Sequence, residues 1–190
     1  MRIVLASASP RRKELLGMMG ITDFDVIPAR GEEKIPAGAA PEEIVRALAG
    51  AKAREVAAGC GSDDVIIAAD TIVFMDGAVY GKPRSETEAF EMLRSLSGSE
   101  HRVYTSVCVM RGGEELCEAE ESLVRFRGLS DGEIRAYIAT GEPMDKAGAY
   151  GIQGRACVFV SRIEGDYYNI VGLPVCRLGE MLKKLGVGTI

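Results

Sequence analysis

Apolar positions recur along this chain in two rhythms, and their alternation predicts strands interleaved with helices. Ile3 to Ala6 is a short apolar run of buried-strand length, and Pro10 opens a helical pattern with Leu15, Leu16 and Met19 on one side. Asp23 to Pro28 predicts a short strand, and Ala29 to Ala40 a loop bearing glycine and proline. Pro41 to Ala58 predicts a long helix with an apolar stripe through Val45, Leu48 and Val56; Lys52 falls within that stripe. Val65 to Ala69 is uninterrupted apolar sequence, the pattern of a strand buried on both faces. It continues past Asp70 and Thr71 through Ile72 to Met75. Asp76-Gly77 is a hairpin turn signal, so Ala78 to Tyr80 should return antiparallel.

Ser85 with Glu88 predicts a capping box for a helix carrying Phe90, Met92, Leu93 and Leu96, closed by Ser97-Gly98. Val103 to Met110 and Glu115 to Phe126 read as two strands joined through Gly112-Gly113. Ser130 and Glu133 form a second capping box, for a helix reaching Thr140. Asp145 to Gly154 (DKAGAYGIQG) holds three glycines and predicts a loop whose backbone approaches something closely. Cys157 to Val160 and Asn169 to Val171 read as short strands around the Glu164-Gly165-Asp166 turn, and Pro174 to Leu185 as a C-terminal helix.

Several polar residues sit awkwardly in this pattern. The turn from the first strand into the first helix holds Ser7 and Ser9, with Ser9 at the N-cap, Pro10 at the first helical position, and Arg11 and Arg12 in the first turn. A helix N-terminus attracts anions, so two cations there are either solvated surface residues at a small dipole penalty or the wall of a phosphate site. Asp70 interrupts a buried strand and needs a partner: a metal ion, or backbone amides at a strand kink. Lys52 is either a lysine snorkelling past the core edge or an ammonium directed into a cleft. Glu32 and Glu33 are adjacent acids in a loop, a pattern that is usually solvated charge. Asp145-Lys146 reads as an ion pair, and the Gln153 amide matches the edge of a pyrimidine base. Gly77 to Lys82 only superficially resembles a P-loop, because its glycines are one residue too close and Pro83 replaces the hydroxyl residue.

Composition narrows the chemistry. The 190 residues are 47% hydrophobic and 27% charged, which suits one globular domain over residues 1–190. A net charge of −5 argues against a nucleic-acid binder. The five cysteines form no C-x-x-C pair and read as reduced thiols in a cytoplasmic protein; the lack of any long apolar run argues against a membrane partner. With a single histidine, His101, a catalytic metal is pushed toward carboxylate oxygens and hence toward Mg²⁺ or Mn²⁺.

These pieces, in order, resemble the Maf family of nucleoside triphosphate pyrophosphatases along the whole chain. The matching stretches are LASASPRR at Leu5 to Arg12, the pair Glu32-Glu33, Lys52-Ala53, AADTIV at Ala68 to Val73 and GKP at Gly81 to Pro83. SGSEHRVYT at Ser97 to Thr105, EPMDKAGAYGIQG at Glu142 to Gly154 and GDYYNIVGLP at Gly165 to Pro174 complete them. The resemblance implies an α/β fold with a mixed central sheet flanked by helices, like inosine triphosphate pyrophosphatases, in two lobes with a cleft. It implies hydrolysis of a nucleoside triphosphate to monophosphate and pyrophosphate with a divalent cation, Mg²⁺ or Mn²⁺, held by Asp70 and Glu33. Asp70 would be the catalytic acid/base, Arg12, Lys52 and Lys82 would grip the triphosphate, and Ser7 and Ser9 would bind a phosphate oxygen. Arg11, Thr71 and Gln153 resemble the base-selecting residues of the dTTP/UTP pyrophosphatases rather than those of the 7-methyl-GTP branch. The resemblance further implies a homodimer, and it leaves open a nucleotide-sensing regulator of septum formation.

Overall fold

The computed structural model describes residues 1–32, 35–36 and 38–188. Its elements run in the order β1 (Ile3–Leu5), α1 (Pro10–Met18), β2 (Asp25–Val26), α2 (Pro41–Ala57), β3 (Val65–Met75), β4 (Ala78–Tyr80), α3 (Glu86–Leu96) and β5 (Glu100–Arg111). They continue through β6 (Glu114–Phe126), α4 (Asp131–Ile138), three 3-10 segments (Glu142–Asp145, Ala147–Ala149, Arg155–Phe159), β7 (Val160–Gly165), α5 (Tyr167–Val171) and α6 (Val175–Lys184). The strands form one seven-stranded mixed sheet in the order β2-β1-β3-β5-β6-β7, with β4 paired to β3. The expected mixed α/β class is therefore met. Two compact units share these strands: Met1–Asp70 with Thr105–Glu120 and Gly172–Ile190, and Thr71–Tyr104 with Glu121–Val171.

In the first unit, β1 lies parallel to both β2 and β3, with Val4 opposite Asp25 and Ile66. Val4 and Ala6 from one strand and Ile66 and Ala68 from the other share a core cluster with Ala49, Ala53 and Val56 of α2 and Cys108 of β5. Leu5 and Ile67 point the opposite way by strand alternation and are equally buried, so both faces are covered. Leu15 and Leu16 of α1 and Leu178, Met181 and Leu182 of α6 are buried too. Helix α6 is tied to β6 by Arg177, whose guanidinium donates to Glu120 at 2.7 Å and to Glu118 at 2.6 Å.

In the second unit, β3 turns into β4 through Asp76 and Gly77, both at positive φ (52° and 80°), the mirror-image turn that suits the twist of a hairpin. Strands β6 and β7 pair antiparallel, with an irregularity between Arg125 and Phe126. The core here is aromatic: Phe126 meets Tyr150 edge-on at 4.8 Å and His101 at 5.0 Å between ring centroids, and Phe159 joins Phe126 and Tyr137.

Some local expectations need correction. Only Asp25 and Val26 of the expected Asp23 to Pro28 strand pair. The stretch from Cys157 is a 3-10 segment until Val160, where β7 begins. Asn169 to Val171 belongs to helix α5, not a strand. There Asp166 Oδ1 accepts the Tyr168 N–H at 2.8 Å, and the Asn169 amide donates to the Val103 carbonyl and the Ser122 hydroxyl, polar anchors that override a three-residue apolar run. The Ser130–Glu133 capping box forms in both directions. At α3 Ser85 caps Glu88, but the Glu88 carboxylate reaches the Arg84 N–H at 2.7 Å rather than that of Ser85.

His101 is 2% exposed; its Nε2 meets the Tyr150 hydroxyl at 2.8 Å, and Nδ1 has no hydrogen-bond partner among the described residues. Burial pushes it down to about 4. The unfolded chain takes up this proton near pH 6.5, the folded chain only near 4, so stability should fall as pH drops through that window, by up to about 3 kcal/mol. Denaturant unfolding from pH 7.5 to 4 should show a steeper loss for the natural protein than for His101→Gln. Parallel curves would contradict this origin.

Candidate active site

The turn between β1 and α1 is built around Ser7, which is 8% exposed. Its hydroxyl oxygen accepts the Ser9 N–H at 3.3 Å and an Arg12 Nη1–H at 3.0 Å. Arg12 Nε–H in turn donates to the Gly172 carbonyl at 2.8 Å, so the first motif is pinned to the GDYYNIVGLP stretch 160 residues later. Ser9 stands at the N-cap with extended backbone (φ −61°, ψ 120°), but its side chain makes no capping bond. The expected cap is therefore positional only. Pro10 removes one donor from the first turn, which contains no acidic residue; Arg11 and Arg12, both partly buried, stand there beside the positive end of the helix dipole.

Asp70 ends the first unit's share of β3 and is 7% exposed. Its Oδ1 accepts a hydrogen bond from Lys52 Nζ. The two partners expected for this carboxylate are a metal ion and backbone amides; the structure adds a part-buried ammonium, since the Lys52 head group meets Asp70 rather than snorkelling past the core edge. Lys52 reaches Asp70 from a helix face whose neighbours Ala49 and Ala53 are fully buried and small, so α2 lies close to the strand. One turn further along α2, the Glu55 carboxylate accepts the Arg30 N–H at 2.7 Å and the Gly31 N–H at 3.0 Å. These bonds hold Glu55 below the usual carboxylate range and anchor the start of the segment bearing Glu32, which is exposed. Glu33, the expected second metal ligand, lies outside the described residues.

The second unit carries the remaining candidates. Thr71 follows Asp70 in β3 and is partly buried, while Lys82 and Gln153 are exposed. The Gly81 carbonyl accepts the Gly148 N–H at 3.0 Å, which joins the GKP stretch beside Lys82 to the GAYGIQG loop that carries Gln153. Gly148 sits at φ +68°, and a Cβ there would lie 2.8 Å from Val73 Cγ2, so the close approach expected of this loop is onto β3. Ala149 follows at φ 59°, a conformation that side-chain-bearing residues rarely hold unless their surroundings impose it.

What imposes it was not legible as function. Tyr137 of α4 donates its hydroxyl to Glu142 Oε1 at 2.9 Å and accepts the Gly151 N–H at 3.2 Å. Glu142 Oε2 accepts the Arg155 N–H at 3.0 Å, so one carboxylate spans the loop from end to end. Lys146 Nζ bonds the Glu142 carbonyl and Asp145 Oδ1, both at 2.7 Å; the Asp145–Lys146 ion pair thus forms as expected. A tyrosine on an apolar helix face gives no signal of such a role; Glu142 lay inside a quoted motif without one.

Among the described residues, the group of three side chains placed to hold a metal ion is Cys108, Glu115 and Cys117, and it does not include Asp70. No helix among the described residues is long and apolar enough to cross a membrane.

The family model described as Maf-like protein matches residues 2–185. A dTTP/UTP pyrophosphatase of Pelotomaculum thermopropionicum is 49% identical over 190 residues, spanning 99% of this chain and 98% of its own. Proteins of the same name from Caldicellulosiruptor bescii and Thermococcus gammatolerans are 50% and 53% identical, each over 97% of this chain and over 95% and 96% of their own. Among solved structures, a HAM1 protein from Coxiella burnetii matches with a TM-score of 0.55 at 15% identity, over 97% of this chain and 99% of that one. The Staphylococcus aureus Ham1 protein matches with a TM-score of 0.52 at 13% identity, over 97% and 100%. These structural likenesses speak for the fold alone. The quoted motifs run from Leu5 to Pro174, and the family match encloses all of them: the chain belongs to the Maf family.

Proposed function

We propose that this protein hydrolyses dTTP and UTP to the nucleoside monophosphate and pyrophosphate, a nucleotide-pool house-cleaning reaction. The observation that carries the reading is Asp70, an acid set inside a buried strand and held by Lys52, in a chain whose relatives at 49% to 53% identity are named for this activity. Water attacks the α-phosphorus, the new P–O bond forms, and the bond to the bridging oxygen breaks with pyrophosphate leaving. Asp70 receives the water's proton. Lys52 balances the Asp70 charge before the reaction and, with Arg12 and Lys82, meets the negative charge that grows on phosphoryl and leaving-group oxygens. Ser7 and Ser9, at the turn into α1, bind a phosphate oxygen. Arg11, Thr71 and Gln153 select the pyrimidine base.

Asp70 and Glu33 offer carboxylate oxygens, the donor type that suits Mg²⁺ or Mn²⁺, and no thiol or imidazole is grouped with Asp70 among the described residues. A bound ion of this class would supply neutralisation of the triphosphate. Free cysteines without a disulfide among them accord with a cytoplasmic setting, and a homodimer is part of the same reading by family likeness.

Pyrophosphate release from UTP, dTTP, CTP, GTP, 7-methyl-GTP and ITP, with Mg²⁺ or Mn²⁺, tests the proposal. Turnover should be confined to uracil- and thymine-like bases, and Asp70→Asn should lower kcat by about 10²-fold or more. Robust 7-methyl-GTP turnover would overturn the base assignment, and tight UTP binding without hydrolysis would favour a sensor. Gln153→Ala should raise KM for UTP about tenfold with kcat little changed, the loss of one base-directed hydrogen bond. An equal fall in kcat for every base would remove Gln153 from the specificity role.

A further inference from the structure

Across the Gly112-Gly113 turn, β5 and β6 bring together three side chains that the proposed reaction does not use. Cys108 stands on β5, and Glu115 and Cys117 on β6; one ligand atom from each lies within 4.8 Å of the others. Cys108 Sγ is 3.8 Å from Glu115 Oε1. Ligands about 2.3 Å (sulfur) and 2.0–2.2 Å (oxygen) from a tetrahedral zinc-type ion stand roughly 3.5–3.8 Å apart, so the three atoms need contract by at most about 1 Å. A further oxygen, the Arg46 carbonyl, lies 3.6 Å from Cys117 Sγ.

Access and charge agree with an ion. Cys108 is fully buried, but Cys117 is partly exposed, and the Glu115 side chain is 30% exposed. Arg54 Nη1 holds Glu115 Oε1 at 2.5 Å from a side chain that is 55% exposed. Two thiolates and a carboxylate carry three negative charges; a divalent ion and Arg54 return three positive ones. The two thiols stand in unequal surroundings, Cys108 Sγ donating to Glu115 Oε1 and Cys117 Sγ to the Arg46 carbonyl. The neighbouring Cys117 thiol and burial push Cys108 up, while the neighbouring Cys108 thiol pulls Cys117 down.

We propose that Cys108, Glu115 and Cys117 form a binding site for one borderline divalent ion of the zinc class, different in ligand chemistry from the carboxylate site assigned to Asp70. Binding forms two metal–sulfur bonds, breaks two S–H bonds and releases two protons to solvent, so affinity rises with pH. Mg²⁺, which favours oxygen ligands in octahedral geometry, is excluded by the same donor set. Because the ion bridges β5 and β6 only in the folded chain, it stabilises the fold by mass action.

Co²⁺ titration of the full-length protein, kept reduced with a phosphine, tests this. One equivalent should produce thiolate-to-cobalt absorption with tetrahedral d–d bands, be displaced by Zn²⁺ and not by Mg²⁺, and release two protons per ion in weak buffer. Cys117→Ser, confirmed as folded by circular dichroism, should abolish the absorption and the zinc-induced rise in Tm, and Glu115→Gln should weaken binding at least about tenfold. Cys157→Ser and Cys176→Ser, at exposed thiols, should leave the spectrum unchanged, as should Asp70→Asn. Absence of cobalt absorption, its persistence in Cys117→Ser, or its loss in Asp70→Asn would each overturn the proposal.

Discussion

A carboxylate inside a buried strand is the constraint to which the first unit answers. Strand β3 is buried along nearly all of its eleven residues, and Asp70 stands in the middle of that run. An unpaired charge there would cost several kcal/mol, so the chain must deliver a cation to it. Lys52 does so only because α2 packs closely, and α2 packs closely because Ala49 and Ala53 present small side chains to Val4, Ala6, Ile66 and Ala68. Glu55, one turn on, then takes up the backbone N–H groups of Arg30 and Gly31. Packing, ion pair and loop anchor are thus consequences of one helix lying at one distance from the sheet.

Much of this was readable in advance because it is local. The Asp76-Gly77 hairpin and the Ser130–Glu133 box are patterns in which neighbouring residues supply their own partners, and the Ile3 to Ala6 and Val65 to Ala69 runs are apolar enough to read as buried strands although each pairs with the other across the sequence. The misreadings share a cause as well. Asn169 to Val171 looked like a strand because its anchors, Val103 and Ser122, lie far away in sequence. The pattern shows that Asp70 needs a partner, but the two it suggests, a metal ion and backbone amides, omit the Lys52 ammonium because that residue lies 18 positions upstream on another element. Scattered cysteines gave no hint that a two-glycine turn folds Cys108 toward Cys117.

The second unit solves a different problem, how to hold a glycine-rich segment still. Gly148 buys the approach to Val73, and the surrounding fixation comes from polar groups: the buried Tyr137, the part-buried Glu142 carboxylate, and the buried His101–Tyr150 contact. Each uses a group costly to leave unpaired, so the bonds constrain the loop in one conformation more firmly than apolar contact would. Ala149 in left-handed backbone records the strain that this fixation sustains. Gln153, the residue given the task of reading the base, is exposed at the end of this braced segment.

The position of water attack is the central chemical claim, and oxygen labelling tests it most directly. Turnover of UTP in ¹⁸O-enriched water, followed by mass spectrometry of both products, should place one labelled oxygen in the nucleoside monophosphate and none in pyrophosphate. Label in the pyrophosphate would put the attack at the β-phosphorus and contradict the account, as would release of labelled inorganic phosphate.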